Sequence, residues 1–86
     1  MIPHMFDLKG KVALITGGNG GIGLGMAEGL AAMGCEVCIW GTNIDKNATA
    51  LTTLEAYGPK ISALQCDVSD AEAVEASFAQ TLATHG

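Results

Sequence analysis

Thr16-Gly17-Gly18-Asn19-Gly20-Gly21-Ile22-Gly23 is the stretch that decides how this chain folds. It directly follows the apolar run Val12-Ala13-Leu14-Ile15. Beyond it, Ile22, Met26, Ala27, Leu30 and Ala31 recur at helical spacing. A strand that turns through glycines into a helix brings bare backbone close to a pyrophosphate. Glycine permits φ > 0 and close approach, and the helix N-terminus offers unpaired N–H groups and a partial positive charge. The stretch therefore points to a bound dinucleotide.

The same plan recurs on either side of this stretch. Lys11 to Thr16, bounded by Gly10 and Gly17, reads as a strand buried on both faces. A helix from Gly21 to Met33 ends at Gly34, where a left-handed residue is wanted. Glu36 to Trp40 is a second strand. A second helix starts near Ile44, carries Ile44, Ala48, Leu51 and Leu54 on one stripe, and stops at Gly58-Pro59. Ile61 to Gln65 is a third strand. Ser69-Asp70-Ala71-Glu72 is a capping-box pattern opening a last helix, in which Val74, Phe78 and Leu82 recur every fourth residue.

The order β-α-β-α-β-α, with helices between the strands, implies parallel pairing and right-handed crossovers. The fold class is α/β: half of a doubly wound, Rossmann-type parallel sheet with strand order 3-2-1. In such a sheet the first strand is central and a fourth pairs along its other edge. That edge has no partner here, and an open apolar edge invites pairing with another chain. Residues 1–86 are therefore expected to be the N-terminal part of a single nucleotide-binding domain, with no linker, low-complexity segment or second domain inside them.

Composition narrows the function. The chain of 86 residues has a net charge of −5 with only four basic residues, all Lys, whereas nucleic-acid binding needs a basic face. No run approaches the roughly 18 apolar residues of a membrane span. Met1-Ile2-Pro3-His4-Met5 lacks the basic and apolar regions of a signal peptide, so a cytoplasmic protein is expected. Cys35 and Cys38 have C-x-x-C spacing, which raises redox or zinc chemistry. No second ligand pair accompanies them, and Cys38 sits in the apolar Val37-Cys38-Ile39-Trp40. Packing is the better reading of these thiols, and no metal site is expected.

The glycine spacing, Thr16-Gly17, three residues, then Gly21-Ile22-Gly23, resembles the T-G-x-x-x-G-x-G fingerprint of the short-chain dehydrogenase/reductase family. The lead-in Phe6-Asp7-Leu8-Lys9-Gly10-Lys11-Val12-Ala13-Leu14-Ile15 is similar to the usual opening of that family, and Cys66-Asp67-Val68-Ser69-Asp70 resembles its D-V segment. The resemblance spans essentially the whole chain. It implies that Gly17, Gly21 and Gly23 form the phosphate loop, with Asn19 and Ile22 beside the pyrophosphate and Thr16 hydrogen-bonding at the strand end. It also implies that Asp67 and Val68 lie against adenine, the carboxylate accepting from its amino group. The intact protein would then move hydride between a nicotinamide and an alcohol or carbonyl substrate. Members of the family are commonly homo-oligomers, tetramers or dimers, built through helices that lie beyond this chain.

Dinucleotide folds usually end the second strand with an acid that accepts from the ribose 2′-OH. That position is Gly41 here, so the usual repulsion of a 2′-phosphate is missing. The charge that would attract one is missing too, because the next residue is Thr42 and the loop carries Asn19-Gly20. Thr42 and Asn43 are candidates to donate to a 2′-phosphate, although Asn43 equally fits the N-cap of the second helix. NADP is expected ahead of NAD.

The family's Tyr-x-x-x-Lys pair, its Ser and its upstream Asn all fall beyond Gly86, so no catalytic residue is assigned within the chain. Tyr57-Gly58-Pro59-Lys60 is one residue short of that pair, and Gly-Pro breaks the helix that would align it. Tyr57 reads as a helix-end residue, Lys60, Glu72 and Glu75 as solvated, and His4 and His85 as lacking a partner motif. Two other classes stay open: a non-catalytic nucleotide-binding module, and a fold-mate such as a methyltransferase, which usually wants an acid where Gly41 stands.

Overall fold

The computed structural model describes residues 10–86; the lead-in Phe6-Asp7-Leu8-Lys9 and His4 lie outside them. The elements run β1 (Val12–Thr16), α1 (Gly21–Ala32), β2 (Glu36–Gly41), α2 (Ile44–Glu55), β3 (Ile61–Gln65) and α3 (Ala71–His85). The strands form one parallel sheet in the order β1-β2-β3, which is 3-2-1 read from the other edge. Leu14 lies opposite Cys38, and Cys38 opposite Ser62, so these residues share a face.

Side-chain alternation divides the core in two. Val37 and Ile39 of β2 face α1 and α2, packing with Ala27, Ala31, Ala50 and Leu54. Cys38 and Trp40 face the other way, with Cys66, and Leu64, Ala73 and Val74 pack against them. Alanines at the helix contacts let α1 and α2 lie close to the sheet, which suits a core with few aromatics.

Gly34, with φ 90°, ends α1 in a full Schellman motif: its N–H donates to the Ala31 carbonyl, and the Cys35 N–H to that of Leu30. Four sequence expectations change. The strand buried on both faces is β2, whereas β1 leaves Val12 and Leu14 exposed because α3 lies over β2 and β3. In α2 the buried positions are Asn47, Ala50 and Leu54, while Ile44 is exposed. In α3 they are Ser77 and Thr81, while Phe78 and Leu82 are half-exposed. The cap of α3 is Asp70, not Ser69: the Asp70 carboxylate accepts from the N–H groups of Glu72 and Ala73.

Polar groups tie α3 to the sheet. The Thr81 hydroxyl accepts from Trp40 Nε1 at 3.2 Å and donates to the Ser77 carbonyl at 2.8 Å. At the other end of the sheet His85, its side chain only 2% exposed, has partners on both strands. Its Nδ1 meets Glu36 Oε1 at 2.8 Å, and its Nε2 meets Ser62 Oγ at 2.6 Å. A neutral imidazole carrying its proton on Nδ1 satisfies both partners, donating to Glu36 and accepting from Ser62. A lone terminal histidine is thus a clasp that joins three elements.

Candidate dinucleotide site

The strands' C-terminal ends open onto a cleft of about 310 Å³. Its walls come from the end of β1 and the loop after it (Thr16, Gly17, Asn19), from the end of β2 (Trp40, Gly41, Thr42), and from the segment after β3 (Cys66, Asp67, Val68). Seven of the eleven residues expected at the site thus meet in one cleft. Gly21, Ile22 and Gly23 form the first turn of α1 beside it. Trp40 and Cys66 also line the cleft; Trp40 sits in an apolar strand, and Cys66, flanked by Gln65 and Asp67, carries no sequence signal as a wall.

The loop geometry explains its glycines. Gly17 and Gly21 have φ of 71° and 56°, in the region that favours glycine. At Gly23 the constraint is space, because a Cβ there would run into the carbonyl of Gly17. Gly18 is fixed differently: a Cβ would strike the Ile39 side chain, so the loop rests directly on the core. The N-cap of α1 is Gly20, extended and without a side chain, so no side chain closes the helix end. The first-turn amides of Gly21, Ile22 and Gly23 keep free donors beside a partial positive charge, as an anion such as pyrophosphate requires.

On the cleft wall after β3, Asp67 Oδ1 accepts from the Ser69 hydroxyl at 2.7 Å and from the Ser69 N–H at 2.9 Å. These bonds, the hydroxyl's first, hold the Asp67 carboxyl below the ordinary carboxylate range. They engage one oxygen and orient the other. Val68 is 59% exposed beside it, an apolar surface for a flat ring.

After β2, Asn43 is the N-cap of α2, its Oδ1 accepting from the Lys46 N–H at 3.0 Å. Its carbonyl is thus engaged in capping. Asn47, unremarked in the sequence, is 6% exposed and bonds to Asn19 and to the ends of β2 and β3. Nothing in its spacing sets it apart from other polar helix residues; only the fold brings its partners together.

Tyr57 and Lys60 lie away from the cleft. The Tyr57 hydroxyl donates to Glu28 Oε1 at 3.4 Å, and Lys60 Nζ to the Thr84 carbonyl at 3.1 Å. The three cysteines are unpaired and buried, and burial pushes the Cys35 thiol up. Among the described residues no three His, Cys, Asp or Glu side chains gather as metal ligands. No helix there is long and apolar enough to cross a membrane.

A sequence model of the family described as short chain dehydrogenase matches residues 11–86. The chain belongs to that family. A sorbose reductase of Candida albicans is 46% identical over 66 residues, covering 77% of this chain and 24% of the reductase. Among solved structures, an NAD+-bound xylitol dehydrogenase superposes with a TM-score of 0.90 at 30% identity, over 92% of this chain and 30% of that one. The L-sorbose reductase of Gluconobacter frateurii, complexed with NADPH and L-sorbose, gives 0.87 at 31% identity over the same shares. The chain therefore spans about a quarter to a third of the length of these short-chain dehydrogenase relatives. One is bound to NAD+ and another to NADPH, on nearly the same backbone.

Proposed function

We propose that these residues form the dinucleotide-binding half of an NAD(P)-dependent oxidoreductase, residues 1–86 being the N-terminal part of its single Rossmann-type domain. The observation that carries this reading is the uncapped first turn of α1, held against β1 by a glycine whose Cβ the Gly17 carbonyl excludes. The amides of Gly21, Ile22 and Gly23 hold the pyrophosphate. Thr16 and Gly17 shape the turn beneath it, and Ile22, 85% exposed, lies beside it. Gly41, Thr42 and Asn43 border the adenosine ribose, and Asp67 and Val68 take the adenine. The bound nicotinamide would supply or accept hydride, and an alcohol or carbonyl compound would be the other partner. This chain's residues bind and orient, and none of them is given a catalytic role.

NADP is the preferred cofactor in this reading, supported by a glycine at the position of the usual acid. A cytoplasmic setting is supported by the three unpaired thiols. Assembly into a dimer or tetramer follows from the family resemblance, and light scattering on the whole protein tests it. Titration with NADPH and NADH, followed by an assay for nicotinamide oxidation against sugar ketones, tests the function. Binding with turnover is expected. Failure to bind either cofactor would overturn the reading, and binding without turnover would reduce it to a nucleotide-binding module.

A further inference from the structure

The end of β2 is where dinucleotide folds usually present a carboxylate to the ribose. Here that space is filled from elsewhere. A Cβ on Gly41 would collide with Asn19 Nδ2, from the glycine loop, and with Asn47 Oδ1, from α2. The two carboxamides are bonded to each other, Asn19 Nδ2 donating to Asn47 Oδ1 at 3.0 Å.

Backbone fixes the orientation of this pair. The Asn47 side chain is wedged between two carbonyls, that of Gly41 at 2.9 Å and that of Leu64 at 3.3 Å. Carbonyls only accept, so the Asn47 group facing them must be its NH2. That turns Asn47 Oδ1 toward the loop, and an oxygen there admits only the NH2 of Asn19. Asn47 is 6% exposed, and turning it over would set its oxygen against two carbonyls at a buried position. Asn19 Nδ2 is thereby held beside Gly41. It has a second N–H beyond the one given to Asn47, and Asn19 itself lines the cleft.

We infer that Asn19 and Asn47 act as a pair that reverses the hydrogen-bonding sense of the usual acid position, presenting a fixed donor where a carboxylate would accept, and so select a 2′-phosphate over a 2′-hydroxyl. A carboxylate there accepts from the ribose 2′-OH and repels a phosphate. A fixed N–H instead matches a phosphate, which only accepts when ionised. The donor is neutral, so the selectivity is modest beside that of an arginine. Asn47 is a positioning residue that acts through Asn19. This inference rests on the proposed dinucleotide site and names which ribose that site prefers.

The test is the ratio of NADH to NADPH dissociation constants, measured by fluorescence titration of the full-length protein and its variants. Asn19→Asp replaces the donor by an acceptor of the same shape and should move the ratio toward NADH by on the order of tenfold, the value of a hydrogen bond to a charged group. Asn47→Ala releases Asn19 to turn over and should move the ratio the same way by a smaller factor. Adding Asn47→Ala to Asn19→Ala should change the ratio little further, since the second residue works through the first. Asn19→Ala leaves both Asn47-to-carbonyl bonds in place, so it keeps the test valid if Asn47→Ala fails to fold. An unchanged ratio in Asn19→Asp, or additive effects in the double variant, would overturn the inference while leaving the dinucleotide site intact. Absence of binding by the unmodified protein would overturn the site itself.

Discussion

The first turns of α1 and α3 follow parallel strands of one sheet, yet they are finished in opposite ways. At α3, Asp70 takes the N–H groups of Glu72 and Ala73, and His85 pins the far end of the helix to Glu36 and Ser62. At α1 the N-cap is Gly20, and its first-turn amides receive no side chain. A helix end that satisfies its own donors is a structural stop. One that leaves them open at the rim of a cleft is a place for an anion. The difference lies in one side chain at each N-cap, and it separates scaffold from site.

The comparison breaks most severely at Gly23. In Gly23→Ala the added Cβ meets the carbonyl of Gly17, and both partners belong to the backbone, so α1 must shift away from β1. A loss of about 2–3 kcal/mol in stability is expected from the overpacking, with nucleotide affinity falling below detection. Urea unfolding and cofactor titration measure the two.

Gly20→Asp gives α1 the cap that α3 has. Gly20 is extended and open space surrounds its Cβ, so the carboxylate fits. Stability should rise by a few tenths of a kcal/mol, because Asp caps slightly better than Gly. Affinity for NADPH should fall by roughly tenfold or more, because the new charge takes the pyrophosphate's place and repels it. A rise in stability without loss of binding would show that the open end is not the anion site.

The reciprocal change, Asp70→Ala, opens α3. It should cost about 1 kcal/mol of stability and leave cofactor affinity unchanged, since the Asp70 carboxylate closes a helix and does not line the cleft, while its backbone bond to the Asp67 carbonyl survives the change. The mildest probe is pH. The Asp67 carboxyl is held below its unfolded value by Ser69, so its contribution is present above the unfolded pKa and fades as pH falls through the lower, folded one. Ser69→Ala should move the Asp67 titration back up toward the ordinary carboxylate range, read by NMR of the side-chain carboxyl. An unmoved titration would show that Ser69 does not set it.

Much of the candidate site's framework was legible. The strand, the glycine spacing and the following helix are local signals, and the structure returns all of them, with the third strand beginning and ending at the expected residues. The helix faces were less legible. Spacing selected Ile44, Phe78 and Leu82 as inward-facing, whereas Asn47, Ser77 and Thr81 are buried in their helices. Periodicity finds a helix but not the direction from which the sheet meets it. Thr81 is inside because Trp40 stands opposite, and its buried indole N–H takes the Thr81 hydroxyl as acceptor.

By itself the sequence determined the order of elements, the turn that leaves α1 uncapped, and the family to which the chain belongs. Each depends on neighbouring residues and on backbone that only glycine adopts. Only the tertiary structure decided what lies over Gly41, which residue caps α3, and that His85 is a clasp between strands. Those depend on groups as far apart in sequence as Asn19 and Asn47, or Glu36 and His85, which meet only when parallel strands fix their register. Hydrogen bonds between such groups are directional and short-ranged, so their partners are set by the packed sheet rather than by spacing along the chain.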